Sequence, residues 1–307
     1  MTPSLLAVDW GTTSLRGALL DAAGQVIEER AFTRGIMSVP AGAFADTFET
    51  SFGDWMAATP GLRCLMAGMV GSRQGWLEAP YCACPAGFAD IAGALAWVRP
   101  GQIAIVPGLR CEQAERQGEH LADRVPDVMR GEETQVFGAM QALGLSDACL
   151  VLPGTHSKWV QVRAGRIEHF STFMTGEMFA LLRQHSILAR TLPAQDTALD
   201  EAAFLRGVRR ALASGSLMQT AFSTRTLALF DQASPEQLLS YLSGLVIGEE
   251  LRVQARLGAK HVVLIASVDL ARRYQLALAE CGVSCVIPGV HITWAGLFAI
   301  AKSMSMS

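Results

Sequence analysis

The sequence predicts an α/β protein of two domains with a cleft between them, each domain built on the same β-turn-β-turn-β unit, and three observations carry that expectation. The first is a repeat. An apolar strand that runs into Gly11-Thr12-Thr13-Ser14 returns later as an apolar strand that runs into Gly154-Thr155-His156-Ser157. The second is the alternation of short apolar runs with longer amphipathic stretches, the pattern of strands covered by helices. The third is size, since 307 residues exceed what a single core commonly serves. Half of the residues are hydrophobic and 17% are charged, a composition that supports a large core and excludes a disordered chain.

Three short strands are expected at 5–9, 14–20 and 25–31. The turns between them, Gly11-Thr12-Thr13 and Asp21-Ala22-Ala23-Gly24, are short enough to make the neighbours antiparallel. Phe44, Phe48, Phe52, Trp55 and Met56 recur at helical spacing and predict a helix over 44–59. A buried strand at 63–69 ends in glycines, another at 103–106 stops at Pro107-Gly108, and 134–143 reads as helix. Then the opening pattern repeats, with strands at 148–152, 158–163 and 166–173, the turn Ala164-Gly165, and a helix over 176–184. Internal duplication is a fold-level signal. The remainder alternates helix at 234–257 behind a Ser-Pro start, strand at 261–266, helix at 270–280, strand at 284–287 and helix at 293–303. The stretch 188–230 has little strand signal and is expected as a helical insertion. The expected domains are therefore 1–145 and 146–307.

Several function classes fall away. The net charge of −3 gives no electrostatic footprint for nucleic acid. The seven cysteines, at 64, 82, 84, 111, 149, 281 and 285, lack the paired spacing of a zinc site and read as reduced, buried thiols. His120, His185 and His261 have no partners at metal or triad spacing. The N-terminus enters a strand without a basic or signal-like segment, and no apolar run reaches the ~20 residues of a membrane span. The expected location is cytoplasmic, with a small molecule as partner. A homodimer is left open.

Four constellations carry chemistry. In Asp9-Trp10-Gly11-Thr12-Thr13-Ser14, a carboxylate at a strand end can hold Mg²⁺, and the Gly-hydroxyl turn brings backbone N–H groups and hydroxyls to phosphate oxygens. An ordinary hairpin turn is the plain alternative. Pro153-Gly154-Thr155-His156-Ser157-Lys158 offers the same turn with a lysine added, or a turn followed by a solvated strand residue. One such turn per domain suits phosphoryl transfer, which needs positioning and charge neutralisation. In Arg130-Gly131-Glu132-Glu133, adjacent acids open a helix; they stabilise its dipole, or one of them is a general base for an acceptor hydroxyl, with Arg130 meeting a substrate carboxylate. In Gly68-Met69-Val70-Gly71-Ser72-Arg73-Gln74-Gly75-Trp76, a buried strand opens into a polar glycine-rich loop, suited to a ligand pocket or to a mobile loop plugged by Trp76. Gly176-Glu177 at a helix start is a weaker candidate.

Together these residues resemble the actin/hexokinase/Hsp70-like ATPase superfamily, in which two ribonuclease-H-like domains enclose ATP. The run Ala7-Val8-Asp9-Trp10-Gly11-Thr12-Thr13, Met66 to Ser72, Ala79-Pro80-Tyr81, Val106-Pro107-Gly108-Leu109, Met129 to Gln135, Pro153 to Val160, Met174-Thr175-Gly176-Glu177, Ser243 to Glu249 and Ala271-Arg272-Arg273-Tyr274 resembles the 2-dehydro-3-deoxygalactonokinase family over nearly the whole chain. The resemblance implies ATP-dependent phosphorylation of 2-dehydro-3-deoxy-D-galactonate at its 6-hydroxyl, in galactonate catabolism, with ATP and Mg²⁺ as cofactors. It implies that Asp9 serves Mg-ATP and that Gly11, Thr12, Thr13 and Gly154, Thr155, His156, Lys158 hold phosphates. It places the base at Glu132 or Glu133 and the acceptor near Gly71, Ser72, Arg73, Trp76, Arg130, Gly176 and Glu177. Ala266 and Ser267 fall in the adenosine loop, which the family resemblance leads one to expect glycine-rich; the Cβ of Ala266 restricts backbone approach there, and Asp269 can cap the following helix. Two other readings are a kinase for a different sugar or sugar acid, and a non-catalytic sugar- or nucleotide-binding regulator.

Overall fold

The computed structural model describes residues 2–112, 125–213, 215–254, 258–289 and 291–304. His120 lies outside them, as do the last three residues expected in the long helix, 255–257. The first part of the chain forms β1 (Leu5–Trp10), β2 (Leu15–Leu20), β3 (Val26–Phe32), α1 (Phe44–Ala58), β4 (Arg63–Ala67), β5 (Tyr81–Ala83), α2 (Phe88–Gly93), β6 (Ala96–Arg99), β7 (Ile103–Ile105), β8 (Gly108–Glu112), β9 (Pro126–Met129) and α3 (Glu132–Leu143). The second forms β10 (Ala148–Leu152), β11 (Ser157–Arg163), β12 (Arg166–Phe173), α4 (Thr175–His185), α5 (Glu201–Ala213), α6 (Leu217–Thr220), α7 (Phe222–Leu229), α8 (Pro235–Gln254), β13 (His261–Leu264), α9 (Val268–Glu280), β14 (Ser284–Val286) and α10 (Ile292–Ser303). No described helix is long and apolar enough to cross a membrane.

The duplication is visible in the sheets. One has the order β3-β2-β1-β4-β7-β6 and the other β12-β11-β10-β13-β14. In each, the first strand of the repeated unit is central, with its two successors on one side and a later strand on the other. β1 pairs antiparallel with β2 and parallel with β4, which sets Asp9 opposite Arg16 and Ala67. A strand hemmed in on both sides is apolar along its length, and β1 is buried except at Asp9. A third sheet, β5-β8-β9, has no counterpart in the sequence expectations.

The chain separates into two compact units. The first comprises residues 1–148, 160–170 and 288–307, and the second residues 149–159 and 171–287. This differs from the expected span of 146–307, because residues 160–170 and the helix at 292–303 belong to the first unit. There α1 lays Phe44, Phe48, Phe52 and Trp55 on the sheet to form its core with Leu6, Val8, Trp10 and Met66. On α3, α10 packs with backbone against backbone: a Cβ at Gly138 would collide with Ile292 O, and one at Gly296 with Thr134 O. In the second unit α5 and α8 cross in the same manner at Gly207 and Gly244, over a core that includes Val151, Trp159, Phe204, Leu264 and Tyr274. The stretch 188–230 holds α5, α6 and α7, and no strand among its described residues.

Candidate active site

In the first unit the chemistry-bearing residues gather at one end of β1. Asp9 is the half-buried residue of an otherwise sealed strand, and its Oδ2 accepts from Arg16 Nη2 at 2.5 Å. The turn that follows is fixed by its neighbours. Gly11 N donates to Ser14 O, Ile36 N to Gly11 O, and Met37 N to Thr12 O, while the side chains of Thr12 and Thr13 stay exposed. Gly35 crosses so closely that a Cβ there would strike Thr12 and Thr13 backbone. Beside Asp9 stands Gly68 at φ +95°, where an added Cβ would lie 3.4 Å from Asp9 Oδ1; beside Gly68 stands Gly131 at φ +104°, whose added Cβ would lie 3.2 Å from Gly68 Cα. Both positions need the left-handed backbone and the missing side chain that only glycine supplies. Through these two glycines β1, β4 and the start of α3 meet.

Gly131 caps α3, and the first two residues of that helix are Glu132 and Glu133. Glu132 is half-buried and its Oε2 accepts from Arg130 N at 3.1 Å. Glu133 is fully buried. Its Oε2 accepts from Gly131 N at 2.7 Å, and its Oε1 has no hydrogen-bond partner. Burial, with Glu132 adding repulsion, pushes the Glu133 carboxyl up to about 8. Arg130 donates from Nη2 to Ala79 O at 2.9 Å, while its Nε and Nη1, like Ser72 Oγ nearby in sequence to Gly71, are buried and without a partner. Gly71 lies against this arginine: a Cβ there would be 2.9 Å from Arg130 Nη1. Arg73 and Trp76 are not brought to this cluster. Arg73 is exposed and pairs with Glu78 at 3.2 Å; Trp76 is packed against Trp10 and Phe48, the plugging role weighed for it from sequence.

In the second unit Gly154 leaves open space around its Cα, and Thr155 and His156 are exposed. His156 Nε2 lies 2.6 Å from Glu177 Oε2. Gly176 fits under the turn, where a Cβ would meet Gly154 O at 2.5 Å, and Glu177 N donates to Thr155 O at 3.0 Å. So Gly176 and Glu177 brace this turn directly. Lys158 is buried rather than solvated, and its Nζ donates to His156 O at 3.1 Å. Beneath the turn lies Glu250, a residue absent from the sequence-based candidates. Ser157 Oγ (2.9 Å) and Trp159 Nε1 (2.7 Å) donate to its Oε1, while Tyr274 OH (2.8 Å) and Thr175 Oγ1 donate to its Oε2. Beside it a cavity of about 170 Å³ is lined by Gly154, Gly176, Phe179, Val246, Arg273 and neighbours. Arg273 Nη1 donates to Ser243 Oγ at 2.9 Å. Ala266 is half-buried and Ser267 is the N-cap residue of α9, so Asp269 falls inside the first turn instead of at the cap.

A family model described as 2-keto-3-deoxy-galactonokinase matches residues 9–300. The chain belongs to that family. It is 35% identical over 309 residues, 99% of this chain and 100% of the relative, to the 2-dehydro-3-deoxygalactonokinase of Escherichia coli strain K12. It is 36% identical, over 97% of this chain and 96% of the relative, to the "Probable 2-dehydro-3-deoxygalactonokinase DgoK1" of Rhizobium meliloti strain 1021. A crystal structure of a candidate 2-dehydro-3-deoxygalactonokinase from Sinorhizobium meliloti superposes with a TM-score of 0.85 at 36% identity, covering 98% of this chain and 99% of that one. A more distant structure, the ADPNP-bound activator of 2-hydroxyisocaproyl-CoA dehydratase from Clostridium difficile, has a TM-score of 0.51 at 10% identity, covers 98% of this chain and 94% of that one, and shares the actin-like ATPase fold.

The donor sets fit the groups that a kinase of this family uses. Asp9 offers one carboxylate, and no group of three or more potential metal ligands occurs among the described residues. A lone carboxylate of this kind would suit a Mg²⁺ that keeps waters and takes its remaining ligands from phosphates. Gly154, with nothing within 4 Å of an added Cβ, leaves its backbone open to a phosphate, and the neighbouring cavity has the apolar walls and single cation suited to a nucleoside.

Proposed function

We propose that this chain transfers the γ-phosphoryl group of ATP to the 6-hydroxyl of 2-dehydro-3-deoxy-D-galactonate, giving the 6-phosphate and ADP. One juxtaposition supports the reading above the others: Gly131, which opens α3 with its two carboxylates, stacks on Gly68, which lies against Asp9. It joins a proton acceptor to a phosphate-side carboxylate within one compact unit.

The roles follow from accessibility. A general base must reach the acceptor hydroxyl. Glu132 is half-buried, whereas both oxygens of Glu133 are sealed in, so Glu132 takes the proton of the 6-hydroxyl as its oxygen attacks phosphorus. Glu133 stands behind it, uncharged at neutral pH, and holds Gly131 N in place. Asp9 would hold Mg²⁺, which when bound neutralises phosphate charge. The turns at Gly11-Thr12-Thr13 and Gly154-Thr155-His156 take phosphate oxygens, with Lys158 fixing the second turn from within. The nucleoside lies in the cavity beside Gly154 and Arg273. Arg130 and Ser72, with their unpartnered donors, take the acceptor. Consumption of ATP places the reaction in the cytoplasm.

The experiment is a coupled assay of ADP release. Release that depends on the 2-keto-3-deoxy sugar acid is the expected result. An equal rate without it, or with glucose in its place, would refute the assignment.

A further inference from the structure

Arg130 is a half-buried cation whose Nε and Nη1 are sealed from solvent. Among the described residues no carboxylate pairs with it in an ion pair, its Nη2 is spent on Ala79 O, and its Nε and Nη1 have no acceptor. A buried guanidinium left in that state is costly unless something outside the fold completes it. What holds it there is Tyr81, whose ring faces the guanidinium carbon at 4.4 Å. Tyr81 is 41% exposed, so it is not a core residue. It is nevertheless fixed. Gly108 gives its ring room, since a Cβ there would stand 2.7 Å from Tyr81 Cδ1 and Cε1, and Gly108 N donates to Pro80 O at 3.1 Å. The guanidinium thus lies over an aromatic face, with the bare backbone of Gly71 leaving room beside its Nη1.

A planar, preset fork with spare donors recognises a planar anion. We propose that Tyr81 is a positioning residue that makes Arg130 a reader of the acceptor's carboxylate, and that this pair is what selects sugar acids over neutral sugars. The inference rests on the acceptor class given above and adds the element that discriminates within it. Stacking supplies orientation, and the aromatic face also screens the ion pair from water.

The test is titration calorimetry of the whole chain, without nucleotide, using 2-keto-3-deoxy-D-galactonate and its carboxamide as probes, on wild type, Tyr81→Phe and Tyr81→Ala. Wild type and Tyr81→Phe should bind the acid about tenfold or more tightly than the amide, the scale of a charge-assisted contact. Tyr81→Ala should lose about tenfold in acid affinity, as removal of a desolvated cation–π contact implies, and bind acid and amide alike. Its KM for ATP and its melting temperature should stay those of wild type, which a merely structural role would not predict. Equal discrimination in Tyr81→Ala, or none in wild type, overturns the proposal. Absence of phosphoryl transfer by a wild type that still discriminates acid from amide would count against the kinase assignment and leave Tyr81 standing.

Discussion

Among the described residues each unit buries one glutamate, and the two are finished differently. Glu250 in the second unit receives four donors, from Ser157, Trp159, Thr175 and Tyr274, so both oxygens are occupied. Glu133 in the first unit receives Gly131 N on one oxygen and nothing on the other. Burial raises the pKa of both carboxyls. A saturated network rigidifies; an incomplete one keeps a functional reserve beside the place where a ligand arrives. Glu250 therefore reads as a strut, tying the strand after the Gly154-Thr155-His156 turn to α4 and α9, and Glu133 as part of the proposed reacting end.

The largest expected effect comes from breaking the strut. Glu250→Ala strands four buried donors and should cost roughly 3–5 kcal/mol of stability, read as a drop in urea midpoint. A loss below about 1 kcal/mol, the worth of a single hydrogen bond, would dissolve the contrast. Next, Glu132→Gln should lower kcat by about 10²–10⁴-fold, the range of general base catalysis, with nucleotide binding and stability kept. Glu133→Gln sharpens the comparison further. The amide resembles the neutral acid already present near pH 7 and still accepts from Gly131 N, so kcat should fall by less than about tenfold, well short of the general-base range. Inverted results for the two substitutions would move the base to Glu133.

A further effect is in pH dependence. Glu133 titrates in the fold at about 8 against an ordinary 4.5. Between those values the unfolded chain has released a proton that the native chain keeps, so stability falls as pH rises through this window and levels off above it. Glu250 adds a slope of the same sign. Thermal melts from pH 5 to pH 8.5 should show the decline, and Glu133→Gln should flatten part of it. A wild-type melting temperature that climbs over this range would contradict the burial of Glu133 as a neutral acid.

Much of the scaffold could be read from residues alone. The two β-turn-β-turn-β units announce themselves because each begins with a central strand that is apolar but for Asp9 and then meets a Gly-hydroxyl turn. Helix α1 was legible from Phe44, Phe48, Phe52 and Trp55 because one face carries nearly all of its apolar mass. The third sheet was not. Its strands run three to five residues, and Tyr81 and Val128 are exposed within them, so neither length nor alternation marks them as strands. Glu250 escaped for a different reason. It follows Glu249 on α8, where two acids in succession suggest a solvated face, and only the third dimension delivers Ser157, Trp159 and Tyr274 to it. Trp76 and Lys158 show that residue type does not fix role: the indole packs beneath the loop, and the ammonium turns inward to His156 O. Arg73, reached by the same reasoning as Arg130, is held outward by Glu78.

The crossing of α3 and α10 at Gly138 and Gly296 has a consequence for how the protein comes into being. Glu132 and Glu133 open the helix whose flank is covered by residues 292–303, far downstream in the sequence. While translation is under way, every strand of the first sheet can emerge and pair, yet the helix bearing the proposed base has no partner for its glycine face until residues 292–303 arrive. A nascent chain halted short of that point would carry both Gly-hydroxyl turns and an unsupported α3, so the proposed reacting end is secured later than the sheet beneath it.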